Sequence, residues 1–264
     1  MNLRNMKKIT VRNHFAFGSV FTQDMEVTRE FISALIGKEI SKVTLAEKEK
    51  VIQDTSEGKG KRFDVYLKDK EGESFDLELQ ICDEESLEKR VRYYQSVMTM
   101  DSLLKGEKYR NLKDSYVIFI FTEKDPLKKG WTVYEINNTI TNHDNRPFND
   151  GMHSYIFNFS NDRVKTADPL IEEIAQYYYN GDVRGELTGK IDSIVNELNE
   201  NDSWREKVMT WEQEKEILKD VYYEMGKADV ALAMLRKGFD IPVISEITGL
   251  SQEKIIELQK VKTE

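Results

Sequence analysis

The sequence predicts an α/β fold followed by a region built only of helices. Three observations predict it. Short apolar stretches with a two-residue period recur between residues 42 and 159, amphipathic stretches with a helical period precede and interrupt them, and after Pro169 only the helical period remains. With 264 residues, 39% of them hydrophobic and 10% aromatic, and only four prolines, the chain can bury a sizeable core. Disordered, collagen-like and low-complexity architectures are excluded.

Residues 15–36 place Phe21, Met25, Phe31, Leu35 and Ile36 at near-helical spacings, and Gly37 supplies a C-terminal stop, so one or two helices are expected. Strand character follows at 42–53, 61–69 and 73–82. A helix is expected over 84–106, with Leu87, Val91, Tyr94, Met98 and Leu104 on its apolar stripe and Gly106 ending it. Further strands are expected at 115–122, 131–136 and 153–159. From Pro169 onward four helical patterns follow one another. With no Gly/Ser-rich or Pro-rich linker to mark it, the boundary is set near residue 165, giving domains of 1–165 and 166–264. The last segment has two short helical patterns around Thr248-Gly249-Leu250, which suit either a helix-turn-helix or a packing or self-association role.

No apolar run approaches the roughly 20 residues of a membrane-spanning helix, and the first residues lack a secretory apolar stretch. The expectation is a soluble, cytoplasmic protein with no membrane partner. A single cysteine, Cys82, excludes an internal disulfide framework and reads as a small apolar filler. His14, His143 and His153 are too far apart in sequence for a zinc motif, so any metal is expected on carboxylates. The net charge of −9 is unevenly placed: residues 1–136 carry 24 basic and 24 acidic side chains, residues 137–264 carry 15 against 24. The first half therefore keeps basic clusters available to a phosphate backbone, at Lys59-Gly-Lys61-Arg62, at Lys89-Arg90-Val-Arg92 and from Lys105 to Lys113.

The most informative stretch is Arg62 to Gln80. Phe63, Val65 and Leu67 alternate with Asp64, Tyr66 and Lys68. Phe75, Leu77, Leu79 and Ile81 alternate with Asp76, Glu78 and Gln80, and the Lys70-Glu71-Gly72 turn suits a hairpin. Matching apolar faces sets Phe63 against Leu79, Val65 against Leu77 and Leu67 against Phe75, so Asp64 faces Glu78. A one-residue slip would expose the apolar face, so this register is strongly specified. Like charges placed directly opposite are destabilising unless a cation lies between them. Two acids, with Gln80 or Arg62 beside them, thus offer hard oxygen ligands with open positions to Mg²⁺ or Mn²⁺.

The hairpin and the helix after it resemble the PD-(D/E)XK nuclease superfamily, in particular the recombination-promoting nuclease and transposase (Rpn) family of bacteria. The resemblance rests on an ordered set: Asn13-His-Phe-Ala-Phe-Gly-Ser-Val-Phe21, Arg62-Phe-Asp-Val-Tyr66, Asp76-Leu-Glu-Leu-Gln80 and Arg90-Val-Arg-Tyr-Tyr-Gln-Ser96. It continues through Gly106-Glu-Lys-Tyr109, Val117-Ile-Phe-Ile120 and Ala231–Gly238 into Ile247–Ser251. It implies a restriction-endonuclease-like core, a mixed central sheet flanked by helices, in which Asp64 and Glu78 hold a divalent cation with the main-chain carbonyl of Leu79. Gln80 takes the place where most of the superfamily has Lys; it can hydrogen-bond or orient water but brings no charge. His14 and Gly18 stand where the family's N-terminal motif tends to have Asp and Lys. A third ligand is therefore sought at Glu26, at Glu30 or at the His14 position. Arg90, Arg92, Tyr94 and Gln95 are candidates to meet the DNA backbone, with Tyr94 also on the apolar stripe.

The expected activity is that of a metal-dependent DNA endonuclease, linked through the family to recombination or mobile elements. Two alternatives stay open: a non-catalytic DNA-binding or assembly protein that retains the fold, and a regulator whose acidic helical tail binds protein. Cutting both strands with one site per chain would favour a homodimer.

Overall fold

The computed structural model describes residues 7–52, 61–80, 86–103, 105–161 and 166–260. Lys59, Cys82 and Leu104 lie outside them. The chain divides into two compact units, Met1–Asp202 and Ser203–Glu264. In chain order the strands are β1 (Val43–Lys48), β2 (Val51–Ile52), β3 (Lys61–Arg62), β4 (Val65–Asp69), β5 (Ser74–Gln80), β6 (Ser115–Phe121), β7 (Val133–Ile136), β8 (Thr139–Ile140), β9 (Arg146–Pro147) and β10 (Met152–Asn158). The helices are α1 (His14–Gln23), α2 (Met25–Ile36), α3 (Leu87–Ser102), α4 (Pro169–Asn180), α5 (Glu186–Glu200), α6 (Asp202–Arg236), α7 (Ile241–Thr248) and α8 (Gln252–Lys260).

A six-stranded mixed sheet, ordered β1-β4-β5-β6-β10-β7, organises the first unit. The β1–β4 and β4–β5 pairs are antiparallel, as is β10–β7 at the other edge, whereas β5, β6 and β10 are mutually parallel. Central parallel strands have both faces covered, which is why β6 reads as an unbroken apolar run after Ser115 and is buried at every position. On one face Val65, Leu67, Phe75, Leu77 and Leu79 pack with α1, α2, α4 and α5 through Phe17, Phe31, Ile174 and Ile191. On the other, Tyr66, Val117 and Phe119 pack beneath Leu87, Val91, Tyr94 and Met98 of α3.

Local chemistry sets the helix ends. Asn13 caps α1 by accepting the N–H groups of Phe15 and Ala16, and Asp24 does the same for Glu26 and Val27 of α2. Gly37 takes the left-handed conformation, φ 64°, that ends α2. Met25, expected on the apolar side, is instead exposed at the first turn of α2. Asp168 and Pro169 start α4. The division between units falls after Asp202, not near residue 165, because α4 and α5 bury Ile171, Tyr178, Leu187 and Val195 in the first core. An amphipathic pattern shows that a helix has an apolar face but not which surface it covers.

The second unit has its own small core of Ala231, Ile244, Leu250 and Ile255, joining α6, α7 and α8. Gly249, φ 69°, makes the turn between α7 and α8, and Ser245 Oγ donates to the Leu250 carbonyl across it at 2.7 Å. Among the described residues no helix is long and apolar enough to cross a membrane.

Candidate metal centre at the end of the hairpin

The ladder between β4 and β5 has the expected register, Val65 opposite Leu77 and Leu67 opposite Phe75, but it stops there. Asp64 lies in a bend before β4. The partner strand is interrupted at the same level. Lys48 pairs with Val65 and Val51 with Arg62, and between them Glu49 takes φ 55°, its N–H donating to the Asp64 carbonyl at 3.1 Å. The bend also turns Phe63 over. Expected beside Val65 and Leu67, it packs instead in the core under α3, 5.5 Å from the Tyr66 ring and 5.9 Å from the Tyr94 ring.

Where main-chain pairing ends, the two acids take over the bonding. The Asp64 N–H donates to Glu78 Oε1 at 3.0 Å, and the Leu79 N–H donates to Asp64 Oδ2 at 3.0 Å. Each carboxylate is thus anchored by a main-chain N–H of the other's strand. The expected direct opposition of two side chains on a ladder is replaced by this reciprocal arrangement, because Asp64 is outside the regular strand. Asp64 keeps a quarter of its side chain exposed, and His14 Nδ1, from the first turn of α1, lies 3.5 Å from its Oδ2.

Glu78 and Gln80 sit on a covered face. They are 1% and 7% exposed, beneath α3. Tyr94 OH donates to Glu78 Oε2 at 3.3 Å, and Gln80 Nε2 approaches the same oxygen at 3.5 Å. Arg90 completes the chain, donating to Tyr94 OH at 3.0 Å and to Gln80 Oε1 at 3.5 Å. Burial, and next the charge of Glu78, holds the Tyr94 hydroxyl well above the usual tyrosine range, so it is protonated and a donor at neutral pH.

The other sequence candidates are dispersed. Glu26 is clasped by Arg29 at 2.7 Å and Glu30 by Lys190 at 2.9 Å, so of the third-ligand candidates only His14 is beside Asp64. Gln95 is buried, donating to the His153 carbonyl at 2.7 Å and accepting from Ser115 Oγ at 2.6 Å, and so ties α3 to the parallel strands. Arg62 and Arg92 are exposed, and Arg90 is partly buried in the Tyr94 network. The bond from the Tyr94 hydroxyl to Glu78 is not visible in the sequence, which offers Tyr94 as a stripe residue or as a contact to the DNA backbone.

Among the described residues no group of three His, Cys, Asp or Glu side chains gathers to hold a metal. The donor set is Asp64 and Glu78, with the carbonyl of Leu79 directly after Glu78 in sequence. These are hard oxygens. Asp64 has no Lys or Arg within 4 Å among the described residues, so its charge is not already neutralised by a fixed ammonium or guanidinium. Such a set fits a small divalent cation that leaves most of its coordination to water and substrate.

A family model described as PD-(D/E)XK nuclease family transposase matches residues 11–177, and a second, the Rpn/YhgA-like nuclease family C-terminal HTH domain, matches residues 226–260. None of the curated proteins and none of the solved structures compared with the chain matches it. The first match takes in the whole sheet, α3 and most of α4. The second covers the end of α6 together with α7 and α8.

Proposed function

For a chain that belongs to the PD-(D/E)XK nuclease family of transposases, we propose a metal-dependent DNA endonuclease that hydrolyses phosphodiester bonds in the setting of recombination or mobile-element activity. The observation that carries this reading is the pairing of Asp64 and Glu78 at the interrupted end of the hairpin, each fixed by a main-chain N–H of the other's strand. Asp64, Glu78 and the Leu79 carbonyl would hold Mg²⁺ or Mn²⁺. Bound there, such an ion lowers the pKa of water and neutralises charge developing on the phosphate.

The chain's own residues orient and hold. Tyr94 and Gln80 fix Glu78 Oε2, leaving the carboxylate one geometry. Gln80 has no proton to give up at neutral pH, so its amide serves to position Glu78 and water. His14, beside Asp64 Oδ2, brings an imidazole to that carboxylate from the first turn of α1. Arg62, Arg90 and Arg92 are offered as backbone contacts, which position a strand without reading its sequence. The C-terminal unit is a helix-turn-helix domain, a class that suggests DNA binding. Its α8 presents exposed Glu253 and Glu257, with Lys254 bonded to Glu257 at 3.2 Å, so it brings little positive charge of its own.

Incubating supercoiled plasmid with the protein in Mg²⁺, Mn²⁺ or Ca²⁺ tests the reading. Nicking or cutting is expected with Mg²⁺ or Mn²⁺, and it should disappear in Asp64→Asn and in Glu78→Gln. Cleavage that persists in the double variant would reject it. The burial of Glu78 favours a second reading, a DNA-binding protein that kept the fold without efficient chemistry. Salt-sensitive DNA binding with no divalent-ion binding by calorimetry would support that one.

A further inference from the structure

Lys48, the last residue of β1, is placed unlike four other lysines of the first unit. Lys38 is bonded to Glu73 at 2.7 Å. Lys50 meets Glu47 and Asp101, Lys68 meets Asp101, and Lys190 meets Glu30 and Glu186. Lys48 Nζ, in contrast, donates to two neutral oxygens, the Phe15 carbonyl at 3.0 Å and Ser19 Oγ at 3.3 Å, and lies over the Phe15 ring. No carboxylate is within 4 Å of it among the described residues. An ammonium half-removed from water, and compensated only by dipoles and an aromatic face, is an anion site waiting for its anion. Burial, opposed by the nearby charge of Glu49, lowers its pKa to about 8, so the group is still protonated at neutral pH while no carboxylate among the described residues pairs with it directly.

Its position ties it to the candidate metal centre. Lys48 pairs with Val65, next to Asp64, and the following residue, Glu49, donates to the Asp64 carbonyl. Phe15, whose carbonyl receives the ammonium, adjoins His14, whose ring lies 3.5 Å from Asp64 Oδ2. The path of the side chain is prepared as well. It crosses α1 at Gly18, where an added Cβ would come within 2.8 Å of Lys48 Cγ, Cδ and Cε. Any larger residue at 18 would displace the stem that carries the ammonium to this corner.

We infer that Lys48 binds a phosphate of the nucleic-acid strand that enters the Asp64–Glu78 site, supplying at that corner the positive charge that Gln80 does not. A phosphate oxygen would share or replace the 3.3 Å contact to Ser19 Oγ, the longer of the two hydrogen bonds. The inference rests on the nuclease reading above and adds to it a residue for substrate binding, not for the chemical step.

The test is binding of a labelled DNA duplex by fluorescence anisotropy in Ca²⁺, titrated with KCl, on the full chain. Lys48→Met retains the stem and removes the charge. It is expected to weaken binding roughly fivefold and to reduce the slope of log affinity against log salt by about one, the signature of one lost phosphate contact. Lys48→Arg should restore the slope. Gly18→Ala, which keeps Lys48 but shifts it, should weaken binding in the same direction, and Lys50→Met, whose charge is already paired, should leave the slope unchanged. A folded Lys48→Met protein with the wild-type slope would overturn the inference while leaving the nuclease reading intact. Wild-type protein that neither binds nor cleaves DNA would instead remove that reading itself.

Discussion

Two aspartates flank the same hairpin and are treated in opposite ways. Asp101, near the end of α3, is met by Lys68 at 3.3 Å, Lys50 at 3.5 Å and the Tyr66 hydroxyl at 2.8 Å. Asp64 is met by the Leu79 N–H and by one imidazole. Both side chains are about equally exposed, 23% and 25%, so burial does not distinguish them. The partners do. Two fixed ammonium groups and a hydroxyl converge on Oδ2 of Asp101 and neutralise its charge in place. Asp64 is held in place by a neutral donor and retains its charge for a cation from solvent. A carboxylate is thus marked as structural or as functional by what already neutralises it, not by its depth.

The largest effect should come from exchanging roles across this comparison. Asp64→Asn keeps an acceptor for the Leu79 N–H but removes the charge. It should cut divalent-dependent cleavage on the order of a thousandfold, equivalent to about 4 kcal/mol, with little change in melting temperature. Asp101→Asn should do the reverse, costing about 1–3 kcal/mol of stability in denaturant melts and sparing cleavage in the folded protein. Equal cleavage by both variants would break the distinction.

A pH titration sharpens it. Burial works to raise the pKa of Asp101, but the Tyr66 hydrogen bond and the charges of Lys50 and Lys68 outweigh it and hold the carboxyl below its ordinary value. A depressed acid contributes stability that is fully present above its unfolded pKa, near 4, and is lost as pH falls through the folded value. Wild-type stability should therefore drop more steeply below about pH 4 than that of Asp101→Asn, measured by urea unfolding. Identical acid limbs would show that Asp101 is not ionically held.

Tyr94→Phe should have the smallest effect. It removes the donor to Glu78 Oε2 and the acceptor for Arg90 while keeping the ring among Phe63 and Phe119. A loss of about 1 kcal/mol is expected, with a several-fold fall in cleavage from a less constrained Glu78. An unchanged cleavage rate would show that Glu78 needs no such support.

The sequence made the hairpin legible because a two-residue period with one apolar face admits a single register, and Val65–Leu77 and Leu67–Phe75 pair accordingly. It gave no sign of the bend at Asp64. Neither glycine nor proline marks it; the left-handed residue is Glu49, on the neighbouring strand. Phe63 therefore fell on the unexpected face, and the two acids came together through main-chain donors instead of across a ladder. Asp101, Lys50 and Lys48 were not legible at all, since their roles depend on contacts between elements distant in sequence. Gln95 showed the opposite error: its place after Arg92 suggested DNA, and its amide is spent on Ser115 and His153.

The most direct measurement is calorimetric titration of Mn²⁺ into the wild-type protein, Asp64→Asn, Glu78→Gln and Asp101→Asn, each checked for folding by circular dichroism. Binding is expected in wild type and Asp101→Asn, and none in the other two. If Asp64→Asn and Glu78→Gln bind the ion as wild type does, the pair at the end of the hairpin is not a metal centre.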